Sequence, residues 1–330
     1  MTGLLDVDRL AGWLDARGLE PGLPIAAAPL TGGRSNVMFT IDRGERRWVL
    51  RRPAAVAVDG ADAGMRREYR ILAALGGTGV PHPGVVALCE DPAVLGPVFY
   101  LMERLDGVVL VPPPAPLDTD TGRAEVARSM AESLARLHAV DWRGRGLGDL
   151  GRPEGFHERQ TSRWIRQLRS YEGRELPGVD AVTAWLRAHL PASFTPTLMH
   201  GDYHMLNVLI APDPPGRVVA ILDWETATIG DPLLDLAGFC EVWSTSLGDR
   251  WGTADQLVAW YSGVAGHLVG DLKMDDLTYH RVLYNFRLAV LLEGIYQRSL
   301  RDPTRAAMED IGQRAGWNLD RARDLVRSSG

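Results

Sequence analysis

The stretch "LMHGDYHMLNVLI", Leu198 to Ile210, admits two incompatible readings, and the choice between them decides the fold. His200 and His204 lie four residues apart, so on a helix both rings would project from one face and suit a metal ion. Asp202 and Asn207 lie five apart, which suits a phosphoryl-transfer loop between strands. The local sequence argues against the helix. Gly201 weakens it, "TLM" before and "NVLI" after have strand character, and the glutamate that follows the first histidine of a zinc-peptidase helix is missing. Asp202 and Asn207 carry the chemistry.

Downstream, "NVLIA" and "RVVAILD" are separated by the turn formers "PDPPG", a small hairpin that ends on a second carboxylate, Asp223. Phosphoryl transfer needs this set: one carboxylate to orient a substrate hydroxyl, and an amide oxygen with another carboxylate to hold Mg2+ against nucleotide phosphates. The order H-x-D-x-x-x-x-N followed by D-x-x resembles the protein-kinase catalytic loop and metal-binding Asp.

The chain has 330 residues, 45% of them hydrophobic, enough for one large domain or two lobes. No apolar run approaches about eighteen residues, so no membrane partner is expected. "MTGLLDVDRLAGWLDARG" reads as a short amphipathic helix and not as a signal peptide. Cys89 and Cys240 are the only cysteines, which suits a reducing cytoplasm and no disulfide framework. A formal net charge of -6 disfavours a nucleic-acid partner. Lys273 is the only lysine, so any basic phosphate clamp elsewhere must be arginine.

Before the opening stretch, "VMFTI" and "RWVLR" flank the turn "DRGE" and read as a hairpin. Met65 to Leu75 follows as a helix with Met65, Tyr69, Leu72 and Leu75 near one face and Arg66, Arg67 and Arg70 outward. Val85–Leu88 and Val98–Glu103 read as two more strands. A proline-rich connector then leads to helical spacing at Val126, Met130, Leu134 and Leu137, with capping candidates among residues 118–121. After the small hairpin, helices are expected over Leu233–Trp243, Ala254–Val269, Asp275–Leu300 and Thr304–Arg327. The fold class is α+β, with a β-rich lobe over residues 1–105 and a helical lobe over residues 106–330.

"HGDYHMLNVL", "ILDWE" and "GDPLLDLA", in that order, resemble the aminoglycoside phosphotransferase family of kinase-like small-molecule kinases. Within it the chain is most similar to the branch that includes the kinase-like domain of some acyl-CoA dehydrogenases. The resemblance implies a bilobal protein-kinase-like fold with ATP or GTP and Mg2+ in the cleft. It makes Asp202 the catalytic aspartate and Asn207 and Asp223 the magnesium ligands. Met205 and Leu206 stand where the family usually has Pro-Gly, while the spacing to Asn207 is kept. Trp224 stands where protein kinases have the Phe of D-F-G, and Glu225 where they have the Gly. Glu225 is either a metal or water contact or a surface residue; His200 is structural, and His204 either braces the loop or touches phosphate.

The same resemblance makes "LTGGRSNVMFTI" the nucleotide-covering loop, with Gly32, Gly33, Ser35 and Asn36 near the phosphates. Arg51 falls where kinases carry the strand lysine, with Glu68 as its ion-pair partner or else an ordinary exposed helix charge. Strand alternation sets Val49 and Arg51 on one face and leaves Arg52 on the other, expected in solvent. Val49 and Met102 wall the base pocket, and backbone groups of Glu103 and Leu105 meet the adenine edge. Asp235 buttresses the catalytic loop.

The substrate is a small hydroxylated molecule of unspecified class. Asp106, Glu241, Asp249, Asp271, Asp275, Asp276 and Glu293 are candidate ligands should it be cationic. The reading is thus an ATP- or GTP-dependent O-phosphotransferase, with a nucleotide-binding pseudokinase as its rival. No oligomeric state follows from the sequence.

Overall fold

The computed structural model describes residues 5–30, 36–54, 60–302 and 306–329. Its N-terminal part is built on an antiparallel sheet of β1 (Ile25–Leu30), β2 (Asn36–Arg43), β3 (Arg46–Pro53), β4 (Val85–Cys89) and β5 (Phe99–Glu103), in the order β1-β2-β3-β5-β4. The expected hairpin forms, with Met38 opposite Arg51 and Arg43 opposite Arg46. Its tight turn needs a left-handed residue, which Gly44 supplies at φ +58°. β1 was not foreseen: "IAAAPL" is an edge strand, exposed along most of its length, with little apolar alternation to announce it.

The two faces of this sheet bury different helices. α1 (Val7–Asp15) sets Leu10, Trp13 and Leu14 against Leu50, Phe99 and Leu101 on the outer face. α2 (Ala61–Leu75) sets Met65, Leu72 and Leu75 against Val49, Tyr100 and Met102 on the inner face. Each such side chain contributes about 1.5–3 kcal/mol by leaving water. A short turn of helix, α3 (Pro92–Leu95), joins β4 to β5.

The rest is mainly helical: α4 (Asp120–His138), α5 (Phe156–Arg169), α6 (Val179–Ala188), then, beyond two small sheets, α7 (Pro232–Ser246), α8 (Ala254–Val269), α9 (Thr278–Arg301) and α10 (Glu309–Ser328). Thr119 caps α4 by accepting from the Gly122 amide at 3.1 Å, and Val126, Met130, Leu134 and Leu137 are all fully buried. β6 (Thr197–Met199) pairs with β9 (Thr228–Gly230), and β7 (Val208–Ile210) with β8 (Val218–Ile221). The loop read first from the sequence therefore runs from one small sheet to the other. β9 was not foreseen because three residues carry no period.

A backbone hydrogen bond ties the two parts together: the Ile221 amide donates to the Pro81 carbonyl at 2.9 Å. Val108, just past the sheet, exchanges amide–carbonyl bonds of 2.9 and 2.8 Å with Ile210. No described helix is long and apolar enough to cross a membrane.

Candidate active site

The loop after β6 is held from below by α7. Asp235 accepts from the His200 amide at 2.6 Å and from the Gly201 amide at 2.9 Å. The His200 ring is buried; its Nε2 contacts the Leu222 carbonyl at 2.8 Å, and its Nδ1 accepts from the Asp202 amide at 3.3 Å. Those contacts require the neutral ring with its proton on Nε2. Burial favours that form, pushing His200 below its ordinary value against the opposing charge of Asp235. His200 is thus scaffold, both its ring nitrogens committed to backbone groups.

Gly201 makes the turn at φ +82°, and a Cβ there would lie 2.6 Å from the Thr226 carbonyl. Met205 is buried beneath the loop while Leu206 is exposed. Asp202 and Asn207 flank this part of the loop: the amide nitrogen of Asn207 donates to Asp202 Oδ2 at 3.1 Å and to the Asp202 carbonyl at 3.0 Å. His204 Nε2 stands 3.5 Å from the same Oδ2. Burial pushes the Asp202 carboxyl up, but the hydrogen bond and charge of His204, with Arg287, outweigh it and hold the group below the usual range. Asp202 is therefore a carboxylate at neutral pH.

β8 delivers Asp223 to the same place. The preceding residue, Leu222, donates its amide to the Asn207 carbonyl at 2.8 Å while its own carbonyl meets the His200 ring. Asp223 has φ +63°, the left-handed region that costs a non-glycine residue about 1–3 kcal/mol. Trp224 is buried beside it, its ring nitrogen donating to the Ile221 carbonyl at 3.0 Å.

Across from Asp223 stands Arg51 of β3. Its Nη2 donates to Asp223 Oδ1 at 3.0 Å, and its Nε lies 2.9 Å from Glu68 Oε2. Tyr100 donates to the same Glu68 oxygen at 3.0 Å. Burial works against the Arg51 charge, but Glu68, Tyr100 and Asp223 outweigh it and hold the guanidinium protonated. Glu68 is not an exposed helix charge: it is 3% exposed, and burial pushes its carboxyl up against the opposing influence of Arg51.

Val49 faces Met102 across the β3–β5 pairing, both nearly buried. The Glu103 amide donates to the Gly84 carbonyl at 2.8 Å and is committed within the sheet. Asn36 opens β2 opposite Pro53. Gly32, Gly33 and Ser35 lie outside the described residues.

Three expectations need correction. Arg52 is not in solvent but 5% exposed, on the sheet face it shares with Leu50 and Trp48, and burial pushes its guanidinium down. Arg67 does not turn outward; it reaches from α2 to the carbonyls of Glu225, Leu150 and Ala227, pinning the segment after Asp223. Glu241 and Glu293 are not ligands in waiting. Glu241 is buried against Arg281 and Arg321, and Glu293 against Arg174.

Tyr100 and Arg287 went unremarked in the sequence. Arg287, on α9, donates to the Gly201 carbonyl at 2.7 Å. It also lines a cavity of about 690 Å³ beside the loop, between α5, β9 and α9. No local pattern signals a helix arginine that meets a loop 86 positions earlier.

An aspartate and asparagine on one loop, a second aspartate from an adjoining hairpin and an arginine–glutamate pair under a five-stranded sheet define a kinase-like phosphotransferase architecture. The chain belongs to the phosphotransferase enzyme family, whose profile matches residues 26–267. It is 33% identical over 288 residues to mouse acyl-CoA dehydrogenase family member 10, covering 84% of this chain and 27% of that protein. The chain thus spans about a quarter of that relative's length. A Ralstonia eutropha crystal structure, provisionally named an aminoglycoside phosphotransferase, superposes with TM-score 0.83 at 28% identity over 98% of each chain. The GDP complex of wild-type aminoglycoside 2'-phosphotransferase-IIIa shares the fold at TM-score 0.65 and 16% identity, over 97% of this chain and 99% of that one.

Proposed function

We propose that the protein transfers a phosphoryl group from ATP or GTP, with Mg2+, to the hydroxyl of a small molecule. The observation that carries this reading is the Asp202–Asn207 contact at 3.1 Å on a loop that also bonds the residue preceding Asp223. Asp202, ionised, would accept or orient the hydroxyl proton, and orientation is most of what a loose phosphoryl transition state asks of a protein. Asn207 commits its amide nitrogen to Asp202, so its oxygen is left for a cation, and Asp223 adds a carboxylate. Two oxygen donors fit a hard ion that keeps water and phosphate ligands. When bound, Mg2+ would supply charge stabilisation to the phosphates. Arg51 would contact phosphate oxygens from the sheet, Val49 and Met102 would wall the base, and the Glu103 carbonyl with the Leu105 backbone would meet its edge. On this reading Asn36, with Gly33 and Ser35, belongs to the loop over the phosphates, and the lobes divide near residue 105. A cytoplasmic setting belongs to the same proposal.

A second reading, a nucleotide-binding protein without turnover, draws on the Arg51–Asp223 bond: the arginine occupies an oxygen of the carboxylate that the metal would use. ATP and GTP consumption with Mg2+ against aminoglycosides, macrolides, choline-like alcohols, sugars and hydroxyacyl-CoAs separates the two, with Asp202→Asn as the blank. Transfer is expected with at least one acceptor and a loss of about 100- to 10,000-fold in the variant. Magnesium-dependent nucleotide binding without product on any acceptor would favour the second reading.

A further inference from the structure

The cavity beside Gly201 is lined by six arginines, Arg67, Arg152, Arg159, Arg163, Arg166 and Arg287, against two glutamates, Glu158 and Glu225. Arg67 and Arg159 spend their hydrogen bonds on backbone carbonyls, and among the described residues neither forms an ion pair with a carboxylate. Arg163 and Arg287 both lie against the Trp164 ring, their guanidinium carbons 5.0 and 5.6 Å from its centre. Among the described residues neither makes an ion pair with a carboxylate, and the Arg287 Nε is buried without a hydrogen-bond partner. Burial, and after it the nearby Arg287 charge, push Arg163 below its ordinary value. The Arg287 charge also reaches Asp202.

Such an arrangement repels a polycation and attracts an oxyanion, which two planar guanidinium forks bind well. We propose that the acceptor alcohol carries an oxyanion, a phosphate or a carboxylate, which Arg163 and Arg287 hold over Trp164 while its hydroxyl reaches Asp202. This rests on the phosphotransfer reading and specifies its substrate class.

Calorimetric titration with glycerol 3-phosphate, glycerate and glycerol, each with saturating AMP-PNP and Mg2+, tests it. At least one anion should bind while glycerol does not, and the anion that binds identifies phosphate or carboxylate as the group recognised. Affinity should fall about tenfold or more in Arg163→Gln, which removes no described hydrogen bond, and should weaken with added salt. Arg287→Gln should weaken it as well, with the melting temperature checked because the Gly201 contact is lost. Anions that bind no better than glycerol, or equally well to Arg163→Gln, overturn the proposal, and so does turnover confined to neutral or cationic alcohols. Anion binding needs no turnover, so Arg163-dependent binding without Asp202-dependent transfer would refute the phosphotransfer reading and leave the cavity as an anion site.

Discussion

Arg51 Nη2 lies 3.0 Å from Asp223 Oδ1 although 172 positions separate the two residues in the chain. That bond joins the sheet to the small β7–β8 hairpin, and the Arg51–Glu68 pair behind it carries the connection on into α2. An arginine in this place is a planar fork, so it can bridge two carboxylates at once where a lysine would offer a point charge.

The first prediction concerns that bridge. Arg51→Ala strands Glu68, 3% exposed, with Tyr100 as its remaining hydrogen-bond donor, and should cost about 3–5 kcal/mol of stability. In protein that still folds, the nucleotide KM should rise more for Arg51→Ala than for Arg52→Ala, because the two side chains occupy opposite faces of β3. Chemical denaturation and nucleotide-dependent kinetics measure both effects. The reverse ranking in KM would place the phosphates on the other face of the sheet.

Asp223→Ala should remove the magnesium dependence of nucleotide binding while leaving some magnesium-free affinity. Nucleotide titrations with and without Mg2+ read this directly. An unchanged magnesium effect in the variant would show that the metal is held elsewhere.

Gly201→Ala should destabilise the protein by more than the about 1–2 kcal/mol of a left-handed alanine, since the new Cβ also meets the Thr226 carbonyl at 2.6 Å. The backbone must then shift at the residue before Asp202, so kcat should fall while nucleotide affinity holds. A variant with wild-type melting temperature and kcat would refute this account of the turn.

Acid stability should depend on Asp231, the N-cap of α7, which accepts from the Leu233 amide at 3.0 Å and contacts His157 and His280 at 2.8 and 2.9 Å. Burial raises its carboxyl, but the two histidines outweigh burial and hold it well below 3.8. A carboxyl depressed in the folded state adds stability that is fully present above its unfolded value of 3.8 and is lost as pH falls toward the folded value. Asp231→Asn should therefore show a shallower loss of stability with falling pH, by up to about 1.4 kcal/mol per pH unit. Denaturant titrations across the acid range would detect it, and parallel wild-type and variant curves would show that Asp231 is not the group responsible.

Local sequence was enough to specify the strand hairpin of β2 and β3, the helical run from α7 onward and the loop holding Asp202 and Asn207. Each of these is specified locally, by a turn residue, a helical period or a fixed spacing, so nearby residues suffice to read it. It also set the parity of β3, with Val49 and Arg51 together, because alternation follows from strand geometry alone. Parity also put Arg52 on the opposite face, but not in solvent as expected, because whether a sheet face is covered depends on packing that only the folded chain supplies. Arg67 and Arg287 likewise look like ordinary surface cations until tertiary structure brings backbone carbonyls of distant segments within their reach. Only the fold closed Glu241 and Glu293 off behind arginines and gathered six other arginines beside the loop that carries Asp202. Charges on helices acquire their partners through packing over long separations, and that information is not carried by any short stretch of the chain.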